Sequence, residues 1–98
     1  MVIFCDIDGT LCTNTNGRGY ERAKPFIKNI AKINKLYKNG TRIILWTSRG
    51  TTTGDNWEIL TSQQLKDWGV SYHELRFGKP HYDLWIDDKA MNSENFFK

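Results

Sequence analysis

Val2-Ile3-Phe4-Cys5-Asp6-Ile7-Asp8-Gly9-Thr10 opens on four apolar residues, then sets two carboxylates either side of one isoleucine, just before a glycine. A short continuous apolar run predicts a strand buried on both faces, the kind found in parallel sheets. Such sheets are covered by helices, and ligands collect at the carboxyl ends of their strands. The stretch therefore predicts both a fold class and the place where the chemistry sits. A calcium loop is the rival reading of Asp6-Ile7-Asp8-Gly9, but its required glycine and glutamate positions fall on Leu11 and Gly17.

Outward from that stretch the elements alternate. Asn14, Asn16, Gly17 and Gly19 mark a loop. Pro25 suits the first turn of a helix, which Phe26, Ile30, Ile33 and Tyr37 trace at helical spacing and Asn39-Gly40 ends. Arg42 to Trp46 reads as a second strand, and a polar loop with Gly50 and Gly54 comes next. Asp55 with Glu58 has capping-box logic ahead of a helix through Trp57, Leu60, Gln64, Leu65 and Trp68, closed by Gly69. Val70 and Tyr72 alternate with polar residues as a third strand, Tyr82 to Ile86 reads as a fourth, and Asn92 or Ser93 caps a last helical turn. This order predicts an α/β fold with a mostly parallel four-stranded sheet in one domain spanning residues 1–98.

Composition narrows the function classes. At 98 residues there is room for one core and no second domain, and 39% hydrophobic with 26% charged residues is ordinary for a folded chain. A net charge of +3 permits an anionic partner without pointing to nucleic acid. Lys24, Lys28, Lys32, Lys35 and Lys38 fall on one helical face, read as a solvated surface. No apolar run reaches the roughly 20 residues of a membrane span, and the first residues lack the basic start of a signal peptide. Cys5 and Cys12 have no metal-pair spacing, so reduced thiols in a cytoplasmic protein are expected.

Polar residues gather where the strands end: Asp6, Asp8, Gly9 and Thr10 after the first, Thr47, Ser48 and Arg49 after the second, Asp87 and Asp88 after the fourth. Taken singly, Asp87-Asp88 is an ordinary turn, Thr47 and Ser48 are strand-end hydrogen bonders, and Lys79 is a surface lysine. Taken together, four carboxylates at the ends of two apolar strands repel unless a cation or protons intervene. Mg²⁺, with few carboxylate ligands plus substrate phosphate, answers that need, and Lys79 adds positive charge.

In this order the residues resemble the four motifs of the haloacid dehalogenase (HAD) superfamily of phosphohydrolases, across nearly the whole chain. The motifs read as the opening stretch through Thr10, as Ile43-Ile44-Leu45-Trp46-Thr47, as Lys79 in Gly78-Lys79-Pro80, and as Leu84-Trp85-Ile86-Asp87-Asp88. Within the superfamily, the run from Tyr82 to Asn92 is similar to small proteins of capsule or surface-sugar biosynthesis. The resemblance implies a three-layer, Rossmann-like fold and a Mg²⁺-dependent phosphatase.

By the resemblance, Asp6 is the nucleophile that forms an aspartyl-phosphate, and Asp8 is the general acid and base. Thr47, with Ser48 as the competing hydroxyl, binds the transferring phosphoryl group, and Lys79 holds that group and the nucleophile. Gly9 and Thr10 bring backbone N–H groups near the phosphate. Asp6, Asp8 through its carbonyl, and Asp88 are the metal ligands, supported by Asp87 and Asn92. Arg49 is expected to touch substrate. Larger members insert a cap after the first motif or between the second and third; here the segment from Thr10 to Pro25 is short and a helix and a short strand fill the later gap, so the site is expected to be capless and open. The expected substrate is a sugar phosphate or other small phosphorylated metabolite. The alternatives are a phosphatase for nucleotides or nucleic-acid 3′ ends, and a non-catalytic domain that binds a phosphorylated ligand. A fifth strand common in the family has no counterpart after Asp88, which makes a homo-oligomer an expectation.

Overall fold

Parallel pairing of β1 (Val2–Cys5) with β2 (Arg42–Trp46), and of β2 with β3 (Glu74–Arg76), builds the sheet in a computed structural model describing residues 1–98. Cys5 stands level with Leu45, and Leu45 with Leu75. The first connection carries α1 (Ile27–Lys38) and the second carries α2 (Glu58–Asp67). In strand order β1-β2-β3 both crossovers run the same way, so right-handed connections put both helices on one face of the sheet. Ile3, Cys5, Ile43, Leu45 and Leu75 point to that face. They meet Ile30 and Ile33 of α1 and Leu65 of α2 in a single apolar cluster. Phe97, after the short α3 (Ser93–Phe96), joins the same cluster, and Lys32 on α1 donates from Nζ to the Phe96 carbonyl.

Helix ends obey local chemistry. Gly40 and Gly69 take left-handed backbone after α1 and α2, where a side chain is strained. The oxygen at the start of α2 comes from Asn56, whose Oδ1 accepts from the Glu58 N–H, and not from Asp55. Asn92 caps α3 by accepting from the Glu94 N–H.

Three expectations are corrected. The third strand lies at Glu74–Arg76, beyond Val70 and Tyr72. Val70 is instead drawn into the helix-side core. The fourth strand is not formed: residues 82–86 are irregular and exposed, so the sheet has three strands. The arrangement is also two-layered, because no helix covers the other face, which carries Val2, Phe4, Ile44, Trp46 and Arg76. That face explains why β1 is not buried on both sides, with Val2 57% and Phe4 53% exposed. A run of apolar residues states that a strand is hydrophobic; it does not state how many layers cover it.

Candidate active site

Leaving β1, Asp6 stands level with Trp46 at the carboxyl end of the sheet, and its carboxylate faces Lys79 with Nζ 3.7 Å from Oδ1. Lys79 is positioned from both sides. Its N–H donates to the Thr47 carbonyl at 3.1 Å, and its own carbonyl accepts from the Thr51 hydroxyl at 2.9 Å. Its ammonium lies 5.3 Å from the Tyr82 ring and 6.0 Å from the Trp85 ring. Only 14% of the side chain is exposed, so the reading of Lys79 as a free surface lysine is set aside. Burial pushes the Asp6 carboxyl above the ordinary aspartate value, against the opposing pull of Lys79.

Asp8 turns to a different cation. Arg49 donates from Nε to Oδ2 and from Nη2 to Oδ1, both at 2.9 Å, a bidentate pair. The guanidinium is fully buried, and its Nη1 donates to Thr61 Oγ1 at 3.0 Å and Gln64 Oε1 at 2.6 Å on α2. The Tyr20 ring stacks over it at 4.6 Å, and Gln64 Nε2 donates to the Tyr20 carbonyl. Burial alone lowers the affinity of Arg49 for its proton, but the hydrogen bonds and charge of Asp8 outweigh that and raise it. Arg49 also borders the cleft described below, while its guanidinium ties Asp8 to α2 and to the turn at Tyr20–Arg22.

The remaining predicted residues divide. Thr47 is buried, and its Oγ1 accepts from the Arg49 N–H at 3.1 Å, which folds the loop so that Arg49 points inward; Ser48 is half-buried. Gly9, at φ +79°, donates to the Cys12 carbonyl, and Thr10 donates to the Ile7 carbonyl. Both N–H groups serve the turn that aims Asp8. Asp87 and Asp88 lie on the exposed segment after Lys79, where Asp87 Oδ1 accepts from the Lys89 N–H at 2.7 Å and that bond lowers its pKa. Asn92 serves as the cap of α3. No three His, Cys, Asp or Glu side chains converge as a metal site. Cys5 and Cys12 are buried thiols with pKa values pushed up to about 12, chiefly by burial.

Sequence reasoning missed Thr61, Gln64 and Tyr20. The available signal is that Thr61 and Gln64, three apart, are polar residues on the inward side of α2.

Beside these groups lies a cleft of about 180 Å³, bordered by Gly50, Thr51, Asp55, Asn56, Trp57 and Gly78. Gly50 shapes it: φ is +78°, and a Cβ there meets the Asp55 carbonyl oxygen at 2.1 Å. Gly50→Ala is expected to lose about 2–3 kcal/mol through backbone strain and displacement of this loop, measured by urea unfolding. A larger hollow of about 440 Å³ over the outer side of α2 is remote from the carboxylates and lined by surface residues such as Glu58 and Lys66.

The crystal structure of an MCSG target protein from Vibrio cholerae superposes on this chain with a TM-score of 0.84 at 26% identity, covering 98% of this chain and 86% of that one. The two share a fold over nearly their whole lengths. No family model matches the chain, and no curated protein matches it. No helix is long and apolar enough to cross a membrane.

Proposed function

We propose that this chain is a phosphomonoester hydrolase of the HAD type, acting through an aspartyl-phosphate on Asp6. The carrying observation is the pair of carboxylates leaving β1 with separate cationic partners, Asp6 facing Lys79 and Asp8 locked on Arg49. Two carboxylates in different surroundings suit different tasks.

Asp6 attacks phosphorus, and the bond to the leaving oxygen breaks as the new P–O bond forms. A carboxylate approaches a phosphate only where negative charge is offset, and Lys79 Nζ supplies one positive charge at the attacking atom. Asp8 delivers a proton to the leaving alcohol, then takes one from the water that hydrolyses the acyl-phosphate. Both Asp8 oxygens accept from Arg49, so each transfer requires the carboxyl to exchange at least one of these bonds.

The proposed cofactor is Mg²⁺, which supplies further charge neutralisation when bound. By the resemblance, the carboxylates of Asp6 and Asp88 and the carbonyl of Asp8 would hold it, and no step above is routed through it. The proposed substrate is a sugar phosphate or similarly small metabolite. The cleft bordered by Arg49 and Gly78 supports this, since about 180 Å³ is below the size of drug-binding pockets, and Asp55, Asn56 and Thr51 offer partners to sugar hydroxyls beside Trp57.

Phosphate release should be measured across sugar phosphates, nucleotides and an aryl phosphate, with and without Mg²⁺. Turnover on a sugar phosphate, reduced at least ~100-fold in Lys79→Met, is the expected result. Absence of turnover on every substrate overturns the reading in favour of a phospho-ligand binding domain.

A further inference from the structure

We propose that Trp57 is the specificity-determining residue of the cleft and Tyr20 a positioning residue for Asp8, stacked so that a sugar ring seated on Trp57 braces the aspartate that protonates it. The inference rests on the hydrolase reading and narrows its substrate to a singly phosphorylated sugar.

Four groups stand in series. Trp57 borders the cleft and meets the Tyr20 ring edge to face, with centroids 5.0 Å apart at 79°. The Tyr20 ring lies 4.6 Å from the Arg49 guanidinium, which holds both oxygens of Asp8 at 2.9 Å. Local sequence places the two rings. Gly19 precedes Tyr20 in left-handed backbone at φ +66°, where a Cβ falls 2.9 Å from Arg22 Nε. The Tyr20 carbonyl accepts from the Ala23 N–H at 3.0 Å and from Gln64 Nε2 at 2.7 Å, which pins the turn to α2. Trp57 Cδ1 stands 3.1 Å from where a Gly50 Cβ would be, so the missing side chain makes room for the indole.

Tyr20 matters because of how Arg49 is used. Nε and Nη2 donate to Asp8, Nη1 donates to Thr61 and Gln64, and Nη2 also reaches Cys12 Sγ at 4.0 Å. The edge of the guanidinium is thus fixed by its hydrogen bonds and its face by the Tyr20 ring. Acid catalysis requires Asp8 to exchange one Arg49 bond and recover it, and the face contact keeps the guanidinium plane in place meanwhile. Burial pushes the Tyr20 hydroxyl above its ordinary pKa, with the Asp8 charge adding to that and Arg49 opposing, so the ring meets Arg49 as a neutral phenol.

The same use of Arg49 sets the substrate class. It is the one cation at the border of the cleft, and its donors are committed to Asp8, Thr61 and Gln64. Asp55 and Glu58, also at the border, are in no ion pair. A second phosphate there meets two carboxylates and no free cation, so the group beyond the ester oxygen is one without further negative charge. One sugar ring fits that description, its C–H face on the indole and its hydroxyls toward Thr51, Asp55 and Asn56. A nucleoside diphosphate does not.

Leaving-group chemistry tests this, because a sugar alkoxide needs a proton as it departs and a nitrophenolate does not. Tyr20→Leu should lower kcat about 30-fold for glucose 6-phosphate and under about 3-fold for 4-nitrophenyl phosphate, while Tyr20→Phe, which keeps the ring, restores the sugar rate. Trp57→Ala should raise KM for glucose 6-phosphate about 10-fold and lower its kcat about 10-fold, and adding Tyr20→Leu should cost little more. Glucose 1,6-bisphosphate should be turned over at least ~10-fold less efficiently than glucose 6-phosphate. Independently of turnover, the Arg49 Nε–H proton should exchange with solvent at least ~10-fold faster in Tyr20→Leu and Trp57→Ala than in the wild type, read by NMR. An equal loss on both leaving groups, or unchanged Arg49 exchange, overturns the positioning role. A preference for the bisphosphate overturns the substrate class. Faster Arg49 exchange in both variants of a protein without any phosphatase activity upholds the stack and refutes the hydrolase reading alone.

Discussion

Arg49→Met is expected to destabilise the protein by about 3–5 kcal/mol, because removing one partner of a buried ion pair strands the other. The guanidinium makes four hydrogen bonds to oxygens of Asp8, Thr61 and Gln64 and packs under Tyr20. Methionine keeps much of the volume and none of the donors. Asp8 keeps 17% of its side chain exposed, so water relieves part of the loss. Thr61 and Gln64 are buried and gain no such relief. Urea unfolding measures the loss, and Arg49→Met combined with Asp8→Asn should recover part of it by removing the orphaned carboxylate. A loss below about 1 kcal/mol contradicts a role for this pair in anchoring the loop to α2. Turnover in the single variant should fall as well, since Asp8 loses the partner that sets its position.

Asp6→Asn is expected to abolish turnover, by at least ~10⁴-fold if Asp6 is the nucleophile, while making the protein more stable at neutral pH. The two effects share one cause. Burial raises the Asp6 pKa above the ordinary 3.8, so the folded state holds that proton more tightly than the unfolded chain does. Asp6 therefore adds stability below the ordinary aspartate pKa, and this contribution is lost as pH rises through the folded-state value. Asparagine resembles the protonated form at every pH. The variant and the wild type should melt together near pH 3 and separate as pH rises. With 36% of the side chain exposed, solvent limits the gain to about 0.5 kcal/mol, roughly 2–4 °C in a domain of this size. Melting curves across pH settle it, and a less stable variant at pH 7 contradicts the assigned cost of ionising Asp6.

Much of the site was legible because it depends on chain order. Asp6 and Asp8 come directly after an apolar strand, and any strand of a parallel sheet delivers the next few residues to the carboxyl end. Lys79 beside Asp6 agrees with that logic. Arg49 shows where it stops. Its position after β2 placed it near the site, but whether it faced substrate or Asp8 depended on Thr61 and Gln64, which α2 brings from 12 and 15 residues away.

The opening stretch of apolar residues and paired carboxylates determined, by itself, a parallel α/β arrangement and the strand end where acidic chemistry collects. Periodicity and local capping are short-range properties, and they are written in neighbouring residues. Tertiary structure alone decided that the sheet has three strands and one uncovered face, that Asp8 is held by a buried arginine, and that Tyr82–Ile86 stands free of β1. Those outcomes depend on how far a short connection reaches and on which groups meet across the core, distances that no local pattern encodes.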